Sequence, residues 1–468
     1  MRPLWMALRM RKLISETKFR RLTRNTPLSD AECADFIARQ LVETSQACKL
    51  VAELLKRRYK GSDRVVYVKA KNVSDFRQDQ RLLPDGTQAQ AWASRGVNKR
   101  QDPLFVKCRE VNDFHHAKDA YLNIVVGNVY HVKFTRNPVR YVRSGQRYSL
   151  NRMFDFDVIR DGECAWKRGA DGTIATVRKT MRKNNILFTR FSREVSGALF
   201  KQQLKPKGKG QAMIKRSDPR LTVENYGGYN NVTGAYFMLV EHTEKKKRVR
   251  SIETVFLMHK ALYERDPEGY CAQILHLTKP RILIPRIKID ALFSLDGFRM
   301  HVSSRTGDRI HYKNANELVI SPEQAQYIKQ LAKFVKRCDA ARQNLAPTAH
   351  DGVTPEANAE IYALLLDKLR TNTYRVKYET AAKTIAEHQA TFAGLEAADQ
   401  GRVLLQILNL FRANILSADL KLLCGKMGIG IVLTSKYLRN FKGHRFTLIH
   451  QSVTGVFERE IDLLGDSF

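Results

Sequence analysis

Cysteine is sparse and badly placed for any framework. The seven cysteines (33, 48, 108, 164, 271, 338 and 424) are scattered, odd in number and include no Cys-x-x-Cys pair. That argues against a zinc ribbon and a disulfide scaffold and fits a reducing cytosol. Long apolar runs are missing too, since none approaches the roughly eighteen residues needed to cross a bilayer. The start, Met1-Arg2-Pro3-Leu4-Trp5-Met6, lacks the continuous apolar stretch of a signal peptide. No internal repeat is visible. Gly425-Lys426-Met427-Gly428-Ile429-Gly430 lacks the Gly-Lys-Ser/Thr of a phosphate loop and reads as a glycine-bearing turn before a strand. Acidic residues are in short supply: 47 Asp and Glu stand against 81 Lys and Arg, a net charge of +34 and a pI near 10.0. Such a surplus repels itself unless a polyanion neutralises it, so nucleic acid is the first partner to expect. An anionic membrane surface is the alternative, but no lipidation motif supports it.

What is present suits a globular protein. With 468 residues, 43% of them hydrophobic, the chain has room for two or three domains with sizeable cores. Residues 1–28 are basic and read as helical. Ser29 with Glu32 forms a capping box, and Ile37, Leu41, Thr44, Cys48, Val51 and Leu55 recur at alternating steps of four and three as one packing stripe. Val65-Val66-Tyr67-Val68 reads as a buried strand. Residues 80–104 have no periodicity and read as a loop. Thr176–Thr180 and Asn185–Phe188 suggest strands, as does Ala235–Val240, and Glu244–Arg250 looks like the charged tip of a hairpin. Short strands and turns fill 281–320. Ser321-Pro322-Glu323-Gln324 and Thr354-Pro355-Glu356 each start a helix, and helices continue to about Leu422. Strands return at Ile429–Leu433, Thr447–Ile449 and Val453–Phe457.

The stretch with chemistry in it is Phe114-His115-His116-Ala117-Lys118-Asp119-Ala120-Tyr121-Leu122-Asn123. It reads as a helix growing more apolar along its length, with His116 and Asp119 three apart on one face. A carboxylate can hold a hard cation such as Mg²⁺, and a nearby imidazole can take a proton from water. Alone, His-x-x-Asp on a helix is a common surface pair.

The wider wording, from Arg109-Glu110-Val111-Asn112-Asp113 through Asn123, closely resembles the third RuvC segment of the RNA-guided DNA endonucleases of type II CRISPR systems, the Cas nine family. Arg39–Thr44, Val73-Ser74-Asp75-Phe76-Arg77, Asn225-Tyr226-Gly227-Gly228-Tyr229 and Leu448–Gly455 resemble the same family in the same order. The resemblance covers nearly the whole chain and leaves out the family's N-terminal part, so Met1 reads as an internal methionine.

The resemblance implies an α+β multidomain protein. In it, 1–28 would be the linker after the HNH nuclease and 29–195 the third RuvC part of an RNase H-like nuclease. Residues 196–300 would begin the region that interacts with the protospacer-adjacent motif (PAM), and 301–468 would read that motif. It further implies a two-ion Mg²⁺ centre (Mn²⁺ being the substitute) in which Asp119 is a ligand and His116 a base or a group beside the metal. The other carboxylates of that centre come, in the family, from segments upstream of those matched here. Lys201-Gln202-Gln203 resembles a loop that grips a target-strand phosphate. Thr434 and Lys436, with Ser435 between, fall where the best-known members carry their two PAM-reading arginines, and Arg439 and Arg445 are nearby. Guide RNA (crRNA and tracrRNA) and double-stranded DNA would be the partners, and the bacterial cytoplasm the place. A non-catalytic nucleic-acid-binding fragment is the competing reading, as is a purely phosphate-contacting role for Lys436.

Overall fold

The computed structural model describes residues 2–26, 29, 31, 46–59, 65–66, 68–83, 87–89, 100–134, 154–160, 162–169, 171–187, 189, 191–196, 204–209, 212–213, 220–229, 233–303, 310–412, 415, 417–430 and 433–465. Helix and sheet are mixed throughout, as an α+β architecture requires.

Two short basic helices open the chain, α1 (Arg2–Met10) and α2 (Glu16–Thr23, capped by the Ser15 hydroxyl). Residues 46–58 are helical. Val51 and Leu55, expected in a packing stripe, are 54% and 42% exposed, because no described element covers that face. Glu32 of the expected cap and Ile37, Leu41 and Thr44 of the stripe lie outside the described residues.

A small core follows. Helix α3 (Ala70–Asp79) contributes Val73 and Phe76, and α4 (Phe114–Phe134) contributes Leu122, Val126, Val129 and Val132. A hairpin, β1 (Val158–Arg160) and β2 (Glu163–Trp166), adds Val158 and Trp166, and α5 (Thr173–Met181) adds Val177 and Met181. Four sequence expectations fail here, the simplest being Asn185–Phe188, whose described residues 185–187 are not in a strand. Residues 65, 66 and 68 are not in a strand; Val68 lies so close to α4 that a Cβ at Gly127 would meet its Cγ2 at 2.3 Å, and helix packing replaces strand pairing. Thr176–Thr180 is helical: Ile174, Val177 and Met181 follow steps of three and four, and that period outweighs the β-branched residues. Within 80–104, Arg81–Leu82 pairs with Gln88–Ala89 and Arg100–Gln101, so the segment is not wholly loop.

The larger part begins with a three-stranded antiparallel sheet, β3 (Gly234–Glu244), β4 (Lys247–Phe256) and β5 (Thr278–Ile287), with β3 in the middle. Strand β3 is apolar on both faces. Phe237 and Leu239 enter the main core, while Tyr236, Met238 and Val240 pack with Tyr263 of α6 (Lys260–Arg265) and Tyr270 of α7 (Pro267–Gln273). Period-2 alternation thus divides a continuous apolar run between two cores. Lys245 and Lys246, at φ 48° and 66°, make the tight turn of the β3–β4 hairpin, the expected charged tip.

A six-stranded antiparallel sheet completes the core. It is built from β6 (Leu292–Leu295), β7 (Phe298–Ser303), β8 (His311–Asn314), β9 (Leu433–Thr434), β10 (Phe446–Gln451) and β11 (Glu458–Asp462), in the order β9-β8-β7-β6-β10-β11. The β6–β7 hairpin spans residue 300, so the segments on either side share one sheet and one core. Helices α8 (Pro322–Ala341), α9 (Pro355–Arg370), α10 (Asn372–Glu387) and α11 (Ala397–Asn409) share its core. Helix α8 starts at a full capping box, with the Ser321 hydroxyl accepting from Gln324 N and the Gln324 side chain accepting from Ser321 N. Thr354 caps α9 in the expected way. Gly425, at φ 71°, precedes the strand Lys426–Gly430 as a turn. Val453–Phe457 is not a strand but the turn between β10 and β11, leaving Val453 94% exposed.

Candidate functional site

Helix α4 is held at its start by the loop before α8. Asn112 Nδ2 donates to the Leu318 carbonyl at 2.7 Å, and Asp113 N donates to Glu317 Oε2 at 3.0 Å. From that anchored end His115, His116 and Asp119 project within two turns.

Asp119 does not sit alone. Its Oδ1 accepts from Arg77 Nη2 at 2.6 Å and its Oδ2 from Lys107 Nζ at 2.5 Å. The Arg77 side chain, from α3, is only 8% exposed and also donates from Nη1 to the Phe105 carbonyl at 3.2 Å. Burial would raise the Asp119 carboxyl pKa, but the Lys107 hydrogen bond and the charges of Arg77 and Lys107 outweigh it and hold it below the usual range. Burial also lowers the Arg77 pKa, with Asp119 opposing that shift.

His116 is exposed and lies against His115, ring centroids 4.1 Å apart. His115 Nδ1 is 2.9 Å from the Asn112 carbonyl, which can only accept, so Nδ1 carries the hydrogen. Burial lowers the His115 pKa and favours its neutral form. The side-chain donor atoms of Asp113, His115 and His116 lie within 4.8 Å of one another. The fold therefore groups His116 with Asp113 and His115, while Asp119 is grouped with Arg77 and Lys107. Sequence reasoning missed Lys107, and it quoted Asp113 and Arg77 only as parts of motifs. Arg77 is 42 residues from Asp119 along the chain, a separation with no helical or strand period.

The second candidate segment, 433–439, lies against the β3–β4 hairpin. Thr434 is paired with His311 at the sheet edge. Ser435 is buried; its hydroxyl donates to the Tyr437 carbonyl at 3.0 Å and accepts from Asn440 Nδ2 at 2.8 Å. Lys436 Nζ is 3.1 Å from Glu253 Oε1, an acid whose side chain is 5% exposed. Ser251 Oγ donates to the same oxygen at 2.8 Å, and His242 Nε2 lies 3.2 Å from Ser251 Oγ. Arg439 is exposed; its Nη1 bonds Glu244 at 2.6 Å and its guanidinium lies 4.2 Å from the Tyr437 ring centroid. Arg445 pairs with Glu460 at 2.7 Å on the surface. Lys201, Gln202 and Gln203 lie outside the described residues.

Comparison with known proteins decides the family. The PAM-interacting domain of CRISPR-associated endonuclease Cas9 matches residues 196–459, more than half of the chain, and the Cas9 RuvC domain matches 97–155. The chain belongs to the Cas9 family. It is 25% identical to the CRISPR-associated endonuclease Cas9 of Streptococcus mutans serotype c over 503 residues, covering 99% of this chain and 34% of that protein. It is likewise 25% identical to the Cas9 of Listeria innocua serovar 6a over 496 residues, covering 97% of this chain and 33% of that one. The chain thus spans about a third of the length of the curated relatives it matches.

A Cas9 RuvC domain implies use of a divalent metal. A hard cation such as Mg²⁺ wants octahedral oxygen coordination. Asp119 offers one carboxylate whose two oxygens already face ammonium and guanidinium, and the Asp113–His115–His116 trio offers one more acid with two nitrogens. These described residues do not by themselves fit a pair of such ions.

Proposed function

We propose that this chain is the C-terminal part of an RNA-guided DNA endonuclease, contributing one portion of the RuvC centre that cuts the non-target strand together with the surface that reads the PAM. Its partners are the guide RNA (crRNA and tracrRNA), double-stranded target DNA and the family's upstream RuvC, recognition and HNH parts. The reading is carried by the order of two matched domains on one chain: a RuvC domain followed by a PAM-interacting domain. The charge of +34 supports it, since phosphate neutralisation by Lys and Arg drives such binding.

In this reading Asp119 and His116 are the chain's contribution to the two-ion Mg²⁺ centre. Lys201, Gln202 and Gln203 grip a target-strand phosphate. Lys436 meets a base edge in the major groove, flanked by Thr434, Ser435 and Arg439. A lysine donates as a point charge rather than a planar fork, so a pair of guanines each held by a bidentate arginine is not the expected PAM.

A second reading, a non-catalytic nucleic-acid-binding piece, is favoured by one observation: both oxygens of Asp119 are bonded to cations. One experiment separates the two. The purified chain is assayed with Mg²⁺ alone, then with the upstream parts and a guide. Cutting of the non-target strand only in the completed enzyme, abolished by Asp119→Ala, supports the first reading. Binding without cutting in both settings supports the second.

A further inference from the structure

The 433–439 segment is not a loose basic loop but a latched one. Ile252 N donates to the Lys436 carbonyl at 2.8 Å, and Ser251 and Tyr437 form an isolated antiparallel bridge. Two acids of the β3–β4 hairpin then take one cation each: Glu253 takes Lys436 and Glu244 takes Arg439. The two pairs differ in kind. Arg439 and Glu244 are 53% and 32% exposed, a surface pair of small energetic consequence. Glu253 is 5% exposed against 30% for Lys436, and the Ser251 hydroxyl fixes the same carboxylate oxygen.

We propose that Glu253 is a specificity-determining positioning residue, which turns Lys436 from a general phosphate-binding cation into a directed donor toward one base of the PAM. The proposal rests on the reading of Lys436 as a PAM reader and deepens it. A free lysine is a compact charge on a flexible four-carbon stem, and it satisfies any phosphate within reach. Paired with a buried carboxylate, its net charge is cancelled and its pull toward the DNA backbone is weak. The ammonium has three N–H donors. An ammonium held from one side by Glu253 can still turn a donor toward an acceptor such as guanine O6 or N7. Ser251 holds the carboxylate still, so the ammonium points in a set direction. The Tyr437 ring, 5.2 Å from Nζ, closes one side of the stem.

The test uses the completed, guide-loaded enzyme in EDTA, binding duplexes randomised next to the target. It reads two quantities, base preference among bound duplexes and the slope of log affinity against log salt. Lys436→Ala is expected to erase preference at one position. Glu253→Gln is expected to relax preference at that same position and, by releasing one cation to the phosphates, to steepen the salt slope by about 0.9. Ser251→Ala, which frees the carboxylate without changing charge, is expected to relax preference with no change in slope, and it carries the test if Glu253→Gln does not fold. Glu253→Asp, keeping the charge, is expected to restore much of the preference. If Lys436→Ala erases preference but Glu253→Gln and Ser251→Ala leave it intact, the proposal falls and the reading of Lys436 stands. A uniform weakening by Glu253→Gln with an unchanged slope gives Glu253 a purely structural role and also overturns it. If Lys436→Ala leaves the preference intact, the reading itself falls and takes the proposal with it.

Discussion

Removing the Asp119 carboxylate should cost stability as well as activity, because it strands Arg77. In Asp119→Ala the guanidinium stays 8% exposed, keeps only the Phe105 carbonyl among its named acceptors and loses its counter-ion. Breaking a fully buried pair from one side costs about 3–5 kcal/mol. Asp119 is 25% exposed and Lys107 28%, so water relieves part of that, and about 2–3 kcal/mol is the expected loss. A protein of several cores need not unfold in one step, so the loss is best read locally, by amide hydrogen exchange in α3 and α4. Exchange there should speed up by roughly 30- to 150-fold, each factor of ten being 1.36 kcal/mol. Arg77→Met on top of Asp119→Ala should recover most of the loss, since no buried charge is left unpaired. The pH sign follows from the depressed Asp119 pKa. The unfolded carboxyl titrates near 3.9, so the contribution is present above that pH and is lost as pH falls through the lower folded value. Protection unchanged in Asp119→Ala at pH 7, or a wild-type contribution that grows toward acid, would refute the reasoning.

Other tests follow from single positions. Ser321→Ala removes the side-chain half of the α8 capping box and should cost about 1 kcal/mol in denaturant unfolding of the C-terminal part. Gly227 has φ 79°, and a Cβ there would meet the Lys205 carbonyl oxygen at 2.1 Å, so Gly227→Ala should cost about 1–3 kcal/mol and hasten proteolysis around 204–229. Lys201→Ala in the completed enzyme should slow target unwinding and spare guide-RNA affinity; equal loss of both would make Lys201 part of a general basic surface. The isolated chain should bind DNA with a steep salt dependence and leave a supercoiled plasmid uncut in Mg²⁺; nicking would show a self-sufficient nuclease.

Much of this protein was legible in its sequence because the relevant physics is local. Helix α4 could be placed from its composition, and with it the shared backbone of His116 and Asp119. The capping residues Ser321 and Thr354 act on amides three residues away, so their helices could be read directly. The run Ala235–Val240 announced a strand because it is apolar on both faces. The misreadings have different causes. At Thr176–Thr180 a local period of three and four outweighed β-branching, whereas Val65–Val68 was misread because Val68 packs against an element distant in sequence.

The sites divide along the same line. Sequence alone determined which residue types are on hand: a carboxylate beside imidazoles, and cations in large excess. It carried no sign that Arg77 and Lys107 would close on Asp119, or that Glu253, 183 residues before Lys436, would hold its ammonium. Charge attraction has no period along the chain, so pairing partners emerge only when packing brings distant segments to within 3 Å or so. The tertiary structure therefore decided the electrostatic surroundings of Asp119 and Lys436. At Asp119 both oxygens are met by cations because two separate segments converge on α4, and at Lys436 the charge is cancelled because a hairpin buries its acid beneath it.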